Sequence, residues 1–323
     1  ITGGCFYGIP SNVRSLESLV IHEFTHQYFM GMVATNEKEE AWLDEGFVTY
    51  YEDRILDHYY GEKTAYYDVL GYRSGNAEKS RSEYTGLLNP SVGSVGRPGW
   101  EITESYKALV YAKTATILST LQAYLGDEMM DDLMRGYFEK FKFSHPKGKD
   151  FFKWVSDFVL SRKGIVESKV ITDFLLEGIY GTSVCDYSIR NIVNIKSERN
   201  SGLFGDLNNM KYQEGEMPDV YTSEVTVQRE GEWYLPTEVL ILFEDGKEVV
   251  EKWNGNGIAR TFKYVGSSKV VSAHIDPYTK MKVDLNINNN SFTHKPRKES
   301  LWKYSFKAIT WVQNILQSVS WFV

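Results

Sequence analysis

Apolar residues at Leu16, Leu19, Val20, Phe24 and Tyr28 recur at the spacing of one helix face, and Ser15 ahead of them suits the cap position. A second helix is expected from about Trp42 to Ile55. A third starts near Tyr106, carries Val110, Ile117 and Leu121, and stops at Gly126, a residue suited to the left-handed end of a helix. The stretches DEMMDDLMRGYFEKF, DFFKWVSDFVL and SKVITDFLLEGIYG keep the same period. GYRSGNAEKSRSEYTG and NPSVGSVGRPGW are polar and rich in Gly and Ser, and they predict a long loop between helices.

After Gly181 the period changes from helical to alternating. YTSEVTVQRE and WYLPTEVLILF are rich in β-branched and aromatic residues, Asp245-Gly246 between apolar runs is a hairpin signal, and WNGNGIARTFKYVGSSKVVSAHI continues the pattern. Several short strands at regular intervals predict a small antiparallel β-sandwich. The expected division is a helical catalytic portion over 1–183, a β-sandwich over 184–293, and a basic linker with an amphipathic C-terminal helix over 294–323.

That last helix, LWKYSFKAITWVQNILQSVSWFV, sets Leu301, Ala308, Val312, Ile315, Leu316, Val319 and Phe322 on one side, with three Trp, two Lys and no acidic residue after Glu299. Two readings stand: a membrane-surface contact through the 301–323 helix, or a helix docked on the rest of the chain. The first places the protein at a membrane or in the cell envelope, the second leaves the cytoplasm open.

Composition narrows the function. Of 323 residues, 42% are hydrophobic and 15% aromatic, which supplies packed cores and excludes wholesale disorder. A net charge of -7 without a basic stripe argues against nucleic acid as a partner. Two cysteines, Cys5 and Cys185, make neither a disulfide framework nor a thiolate cluster. No apolar run approaches membrane-spanning length. The chain opens at Ile1, and the expectation is that an N-terminal part of a longer parent chain is missing.

The chemistry concentrates in IHEFTHQYF. Residues four apart share a helix face, so His22 and His26 can offer ring nitrogens to one metal ion. Glu23 beside them cannot join that face as a ligand, but a carboxylate there suits a general base for a water on the metal. The bland alternative is a surface helix with two solvated histidines. A catalytic zinc needs a third ligand from elsewhere, and AWLDEGFVTYYED offers Glu45, eighteen residues beyond His26, on a helix able to pack against the first.

His22, Glu23, His26, Trp42, Leu43, Glu45, Gly46 and Phe47, taken in register, resemble the M1 family of zinc aminopeptidases, with its thermolysin-like gluzincin fold. VYAKTATILSTLQAYLG is similar to that family's Tyr-x-Lys segment. The resemblance implies one Zn2+ per chain and a peptide substrate, an oxyanion-stabilising role for Tyr111, and a pocket-lining role for Tyr106. The expected fold is a multidomain α+β protein, with the helical part of a gluzincin catalytic domain ahead of the β-sandwich. The family's Gly-x-Met-Glu-Asn strand, whose Glu holds the substrate's free amino terminus, has at most a remnant in Gly3 and Gly4, and no Glu precedes Glu17. Just past the histidines, Met30-Gly31 stands where the family usually has Gly-Asn.

The reading is a zinc metallopeptidase, aminopeptidase-like, with His22, His26 and Glu45 on the metal, Glu23 as base and Tyr111 at the oxyanion. Its rival is a non-catalytic, peptide-binding, peptidase-like module of a larger membrane-associated protein. Epoxide hydrolysis on the same zinc is a third reading, which no residue supports specifically.

Overall fold

The computed structural model describes residues 14–294 apart from 70–71, 92, 104, 198–201, 207–208 and 214–218, and beyond them 302, 305–306 and 308–313. Gly3 and Gly4 lie outside the described residues.

α1 (Ser15–Thr25) begins at Ser15 itself, with Arg14 in the cap position and no side-chain cap, so Ser15 is the first helical residue rather than the cap. Its apolar stripe is not its buried face. Leu16, Val20, Phe24 and Tyr28 are exposed, and Thr25 is the buried residue of the helix. The physical reason is that α1 packs on its neighbour through the side carrying Ser18, His22 and His26, which is polar.

A short 3-10 turn at Ala41–Leu43 leads into α2 (Glu45–Tyr60), so the second helix starts three residues later than the pattern predicts. Trp42 fixes that turn: it is fully buried among Phe47, Phe151 and Phe152, with ring centres 5.6–6.0 Å apart.

The expected long loop is partly ordered instead. It holds the hairpin β1 (Tyr67–Val69) and β2 (Tyr72–Ser74), then α3 (Asn76–Thr85). The buried face of α3 is Asn76, Ser80 and Tyr84, spaced four apart but mostly polar, so hydropathy misses it. Its first turn is capped from a distance: Asp57 accepts the backbone N–H of Asn76 at 2.8 Å and of Ala77 at 3.4 Å.

The third helix is also more than the pattern predicts. Lys107–Lys113 form a π-helical turn that runs into α4 (Thr114–Leu125), which ends at Gly126 with φ 89°. α5 (Asp127–Phe141), α6 (Gly148–Lys163) and α7 (Ile165–Tyr180) follow as expected and close a core around Phe47, Tyr50, Leu118, Leu121, Phe151 and Phe174.

The remainder is antiparallel sheet. β3 (Tyr187–Lys196), β6 (Tyr221–Arg229) and β9 (Ala259–Gly266) form one sheet in the order β3-β6-β9. β7 (Thr237–Phe243), β8 (Glu248–Trp253), β10 (Val270–Ile275) and β11 (Ser291–Thr293) form another in the order β11-β10-β7-β8. β4 (Gly202–Phe204) and β5 (Lys211–Gln213) pair apart from both. Asp245-Gly246 turns β7 into β8 as its chemistry predicts, with Gly246 at φ 86°. Inward residues alternate along β6 and β7, and Val225, Val227, Val239 and Ile241 are all buried.

Trp233 ties the sheets to the helices: it stacks on Phe174 at 4.9 Å and donates its indole N–H to the Phe174 carbonyl at 2.9 Å. In the tail, residues 302, 305–306 and 308–313 are helical, and Trp302, Phe306, Ile309 and Val312 are exposed. The rest of the expected 301–323 helix lies outside the described residues. Among the described residues, no helix is long and apolar enough to cross a membrane.

Candidate active site

α1 and α2 lie against each other so that one carboxylate meets two imidazoles. His22 Nε2 is 3.1 Å and His26 Nε2 3.4 Å from the same Glu45 oxygen, and the three donor atoms all fall within 4.8 Å of one another. A tetrahedral zinc with bonds of about 2.0–2.1 Å keeps its ligand atoms roughly 3.3 Å apart, so this donor set fits that ion and leaves a fourth position open.

The far side of each ring is held as well. His22 Nδ1 lies 2.9 Å from Glu52, and His26 Nδ1 lies 2.8 Å from Asp44. Glu45 and Glu52 are two helical turns apart on one face of α2, which lets His22 sit between them with one nitrogen toward each. Glu52 is itself placed by Ser18, whose hydroxyl it accepts, and by the Asn76 amide at 3.2 Å. Carboxylates behind metal-binding imidazoles fix the ring orientation and strengthen the donor.

These contacts set the protonation. Burial works against charge on His22, but hydrogen bonds to Glu45 and Glu52 outweigh it and hold its pKa up at about 9. The bond to Asp44, then that to Glu45, lifts His26 to about 10 against a smaller cost of burial. Burial pushes the Glu45 carboxyl up, yet the two imidazoles and the Tyr111 phenol bring it down to about 2. The cluster is thus negative enough to hold protons on both rings at neutral pH, and a divalent cation can take their place.

The structure brings Tyr111 into this group. Its ring stacks near-parallel on His22 at 5.9 Å, and burial together with the facing Glu45 carboxylate drives its phenol pKa well above the ordinary value. Two features put it there. The π-helical turn re-aims the side chains of 107–113, and Gly46 lets α2 approach that turn: a Cβ on Gly46 would meet Thr114 at 2.4 Å and the Val110 carbonyl at 2.9 Å. Tyr106 sits edge-on to Tyr111 at 6.2 Å and lines, with Glu45, a cavity of about 410 Å³. Glu23 is exposed beside His22 and takes no part in the ligand cluster.

Sequence reasoning missed Asp44 and Glu52. The signal was present in AWLDEGFVTYYED, where a carboxylate directly precedes Glu45 and another follows it seven positions later. It also missed Lys113 as a buried group. Its ammonium, fully enclosed, lies 5.7 Å from the Tyr84 ring and 5.7 Å from the Trp233 ring, with no hydrogen-bond partner among the described residues.

The chain resembles known aminopeptidases over part of their length. It is 26% identical over 263 residues to a leucyl aminopeptidase of Saccharolobus solfataricus, covering 81% of this chain and 32% of that protein. It is 30% identical over 158 residues to aminopeptidase B of Rattus norvegicus, covering 47% of this chain and 24% of the relative. The chain therefore spans about a third or less of the length of these curated relatives. Among solved structures, aminopeptidase A of Legionella pneumophila in complex with aspartic acid aligns with 83% of this chain and 26% of its own, at 12% identity and a TM-score of 0.48, a likeness too slight to add to the assignment. The Peptidase family M1 domain matches residues 9–174, more than half of the chain. That span contains all the residues of the cluster, and the chain belongs to peptidase family M1, the zinc metallopeptidases that its metal motif resembles.

Proposed function

We propose that this chain carries the zinc-binding half of a peptidase site and hydrolyses peptide bonds in the manner of an aminopeptidase. The observation that supports this most is the convergence of His22, His26 and Glu45 with each imidazole backed by its own carboxylate, an arrangement that solvated surface histidines do not require. His22, His26 and Glu45 would hold the ion. Zinc, when bound there, supplies a Lewis acid for the scissile carbonyl and acidifies a water.

The remaining steps belong to the chain's own side chains. Glu23, exposed and one residue from His22, accepts the proton of the attacking water and returns it to the leaving amine. Tyr111 keeps its proton far above neutral pH and donates it as a hydrogen bond to the oxyanion as the carbonyl becomes tetrahedral. The extended peptide lies along the open side of Glu45, where Tyr106 forms part of the wall.

The test combines metal analysis with a panel of peptides carrying free or blocked amino termini, on the protein in its native full-length context. One zinc per chain and preferential cleavage of free-amine peptides are expected. Tyr111→Phe should lower kcat with little change in KM. Bound peptide without turnover, and no zinc after purification free of chelator, would favour the non-catalytic binding module instead.

A further inference from the structure

Glu52, the carboxylate behind His22, is buried on α2, and its two oxygens have different partners. Oε2 lies 2.9 Å from His22 Nδ1. Oε1 accepts the Ser18 hydroxyl from α1 and the Asn76 side-chain amide from α3, the latter at 3.2 Å. The same amide nitrogen reaches Asp53 Oδ1, also at 3.2 Å, so its N–H groups span two neighbouring carboxylates of α2. Asn76 and Asp53 are each 1% exposed, so bulk water cannot stand in for that amide.

Separate contacts seat α3 beside α2. Asp57 accepts the backbone N–H of Asn76 at 2.8 Å, a bond that does not involve the Asn76 side chain. Gly75 lets the first turn approach closely, since a Cβ there would meet the Glu62 carbonyl oxygen at 1.8 Å. One turn further on, the Arg81 guanidinium donates to the Asp284 carbonyl at 2.5 Å, and Tyr84 is fully buried. The seating of α3 and its contact with Glu52 thus rest on different groups.

We propose that Asn76 is a positioning residue of the metal site: its amide holds Glu52 Oε1 so that Oε2 stays aimed at His22 Nδ1, which keeps His22 Nε2 turned toward Glu45. A glutamate side chain is long enough to swing, and a carboxylate bonded through one oxygen alone fixes an imidazole poorly. Donors on Oε1 from two different helices remove that freedom. The amide also supplies what a carboxylate at position 76 could not, because two N–H donors face two acceptors. The assignment rests on the peptidase reading for the identity of the ion, but competition with a chelator measures it apart from turnover.

The test is the zinc affinity of the protein in its native full-length context, read by competition with a chromogenic chelator. Asn76→Asp keeps the size of the side chain but turns donors into acceptors, and Asn76→Ala removes them; each should weaken zinc binding about tenfold or more. Arg81→Met loosens α3 at its other anchor, so it should lower the melting temperature and leave zinc affinity within about twofold. With Glu52→Ala already in place, Asn76→Ala should cost no further affinity, because no carboxylate remains to be aimed. A second measurement needs no substitution at position 76. During zinc titration of the wild type, the Asn76 side-chain amide resonance should shift, while that of Asn194, which donates to the Val270 carbonyl in the sheets, should stay in place. Wild-type affinity in both Asn76 variants, equal weakening by Arg81→Met, an undiminished loss without Glu52, or an unmoved Asn76 resonance would each overturn the positioning role. Weakened zinc binding in the Asn76 variants of a protein that cleaves no peptide would uphold that role and overturn the peptidase reading alone.

Discussion

α1 and α2 bring candidate metal donors to the same cluster, yet α2 buries eight of its residues, from Gly46 to Leu56, while α1 buries Thr25 alone. α2 is anchored by apolar packing around Phe47 and Tyr50, in the part of the molecule that ordinary core energetics hold together. α1 is fastened to it through polar contacts: Ser18 to Glu52, His22 to Glu45 and Glu52, His26 to Asp44, and Arg14 to the Thr64 carbonyl at 2.9 Å. The residues that would bind the ion on α1 are therefore the same ones that hold α1 in place. Chemistry and attachment coincide on α1 and are separate on α2, which is a local form of the tension between a rigid scaffold and a reactive site.

The sharpest way to separate the two roles is at Glu23, which sits on α1 but belongs to none of its fastening contacts. Glu23→Gln should lower turnover by roughly 100-fold or more, because the amide cannot accept a proton, while zinc content and thermal stability stay as in the wild type. Unchanged turnover would remove Glu23 from the mechanism.

Glu52→Gln breaks the comparison from the other side. It removes the charge behind His22 and leaves one acceptor oxygen where His22 and Ser18 now use two, so zinc affinity should fall by about 10- to 100-fold. Amide exchange should speed up across α1 and remain slow in α2. Equal loosening of both helices would show that apolar contacts, not this carboxylate, hold α1.

On the packed side, Lys113 tests how much an enclosed charge costs. Burial lowers its pKa from 10.5 to about 8, opposed by the nearby Glu177. The folded protein therefore holds this proton less well than the unfolded chain does. The resulting penalty is full below pH 8 and fades between about 8 and 10.5. Lys113→Met should raise stability at pH 7 by on the order of 2 kcal/mol, given about 1.4 kcal/mol per pKa unit less the attraction of the two rings. The gap between variant and wild type in denaturant titrations should close as pH rises toward 10. A constant gap would place its origin in packing rather than charge.

The smallest effect is expected where the chain leaves α1. Met30 has φ 99°, a conformation that costs an L-residue about 1–2 kcal/mol and a glycine almost nothing. Met30→Gly should stabilise the protein by about 1 kcal/mol after the greater chain entropy of glycine is counted. A loss of stability would mean that the Met30 side chain, though exposed, contributes contacts worth more than the strain.

Much of this site was legible in the sequence because its chemistry is local. The spacing of His22 and His26 is a property of one helical turn, and Trp42, Glu45 and Gly46 keep fixed offsets from each other. The strands after Gly181 were legible for a similar reason, since alternation in β6 and β7 needs only a half-buried strand, and Asp245-Gly246 dictates its own turn. α3 was not, because its buried face is polar and its cap, Asp57, lies on another helix. The same holds for Glu52, whose role arises only when α1 and α2 meet.

The sequence by itself singled out His22, His26 and Glu45 as candidate donors with Glu23 beside them, and showed where the chain passes from helix to strand. Each of these follows from covalent spacing and backbone period, which need no partner. Only the tertiary structure decided which face of α1 is buried, that Asp44 and Glu52 back the imidazoles, and that a π-helical turn against Gly46 carries Tyr111 to Glu45. These depend on contacts between residues far apart in the chain, where the polar or apolar character of a side chain does not reveal the group it will meet.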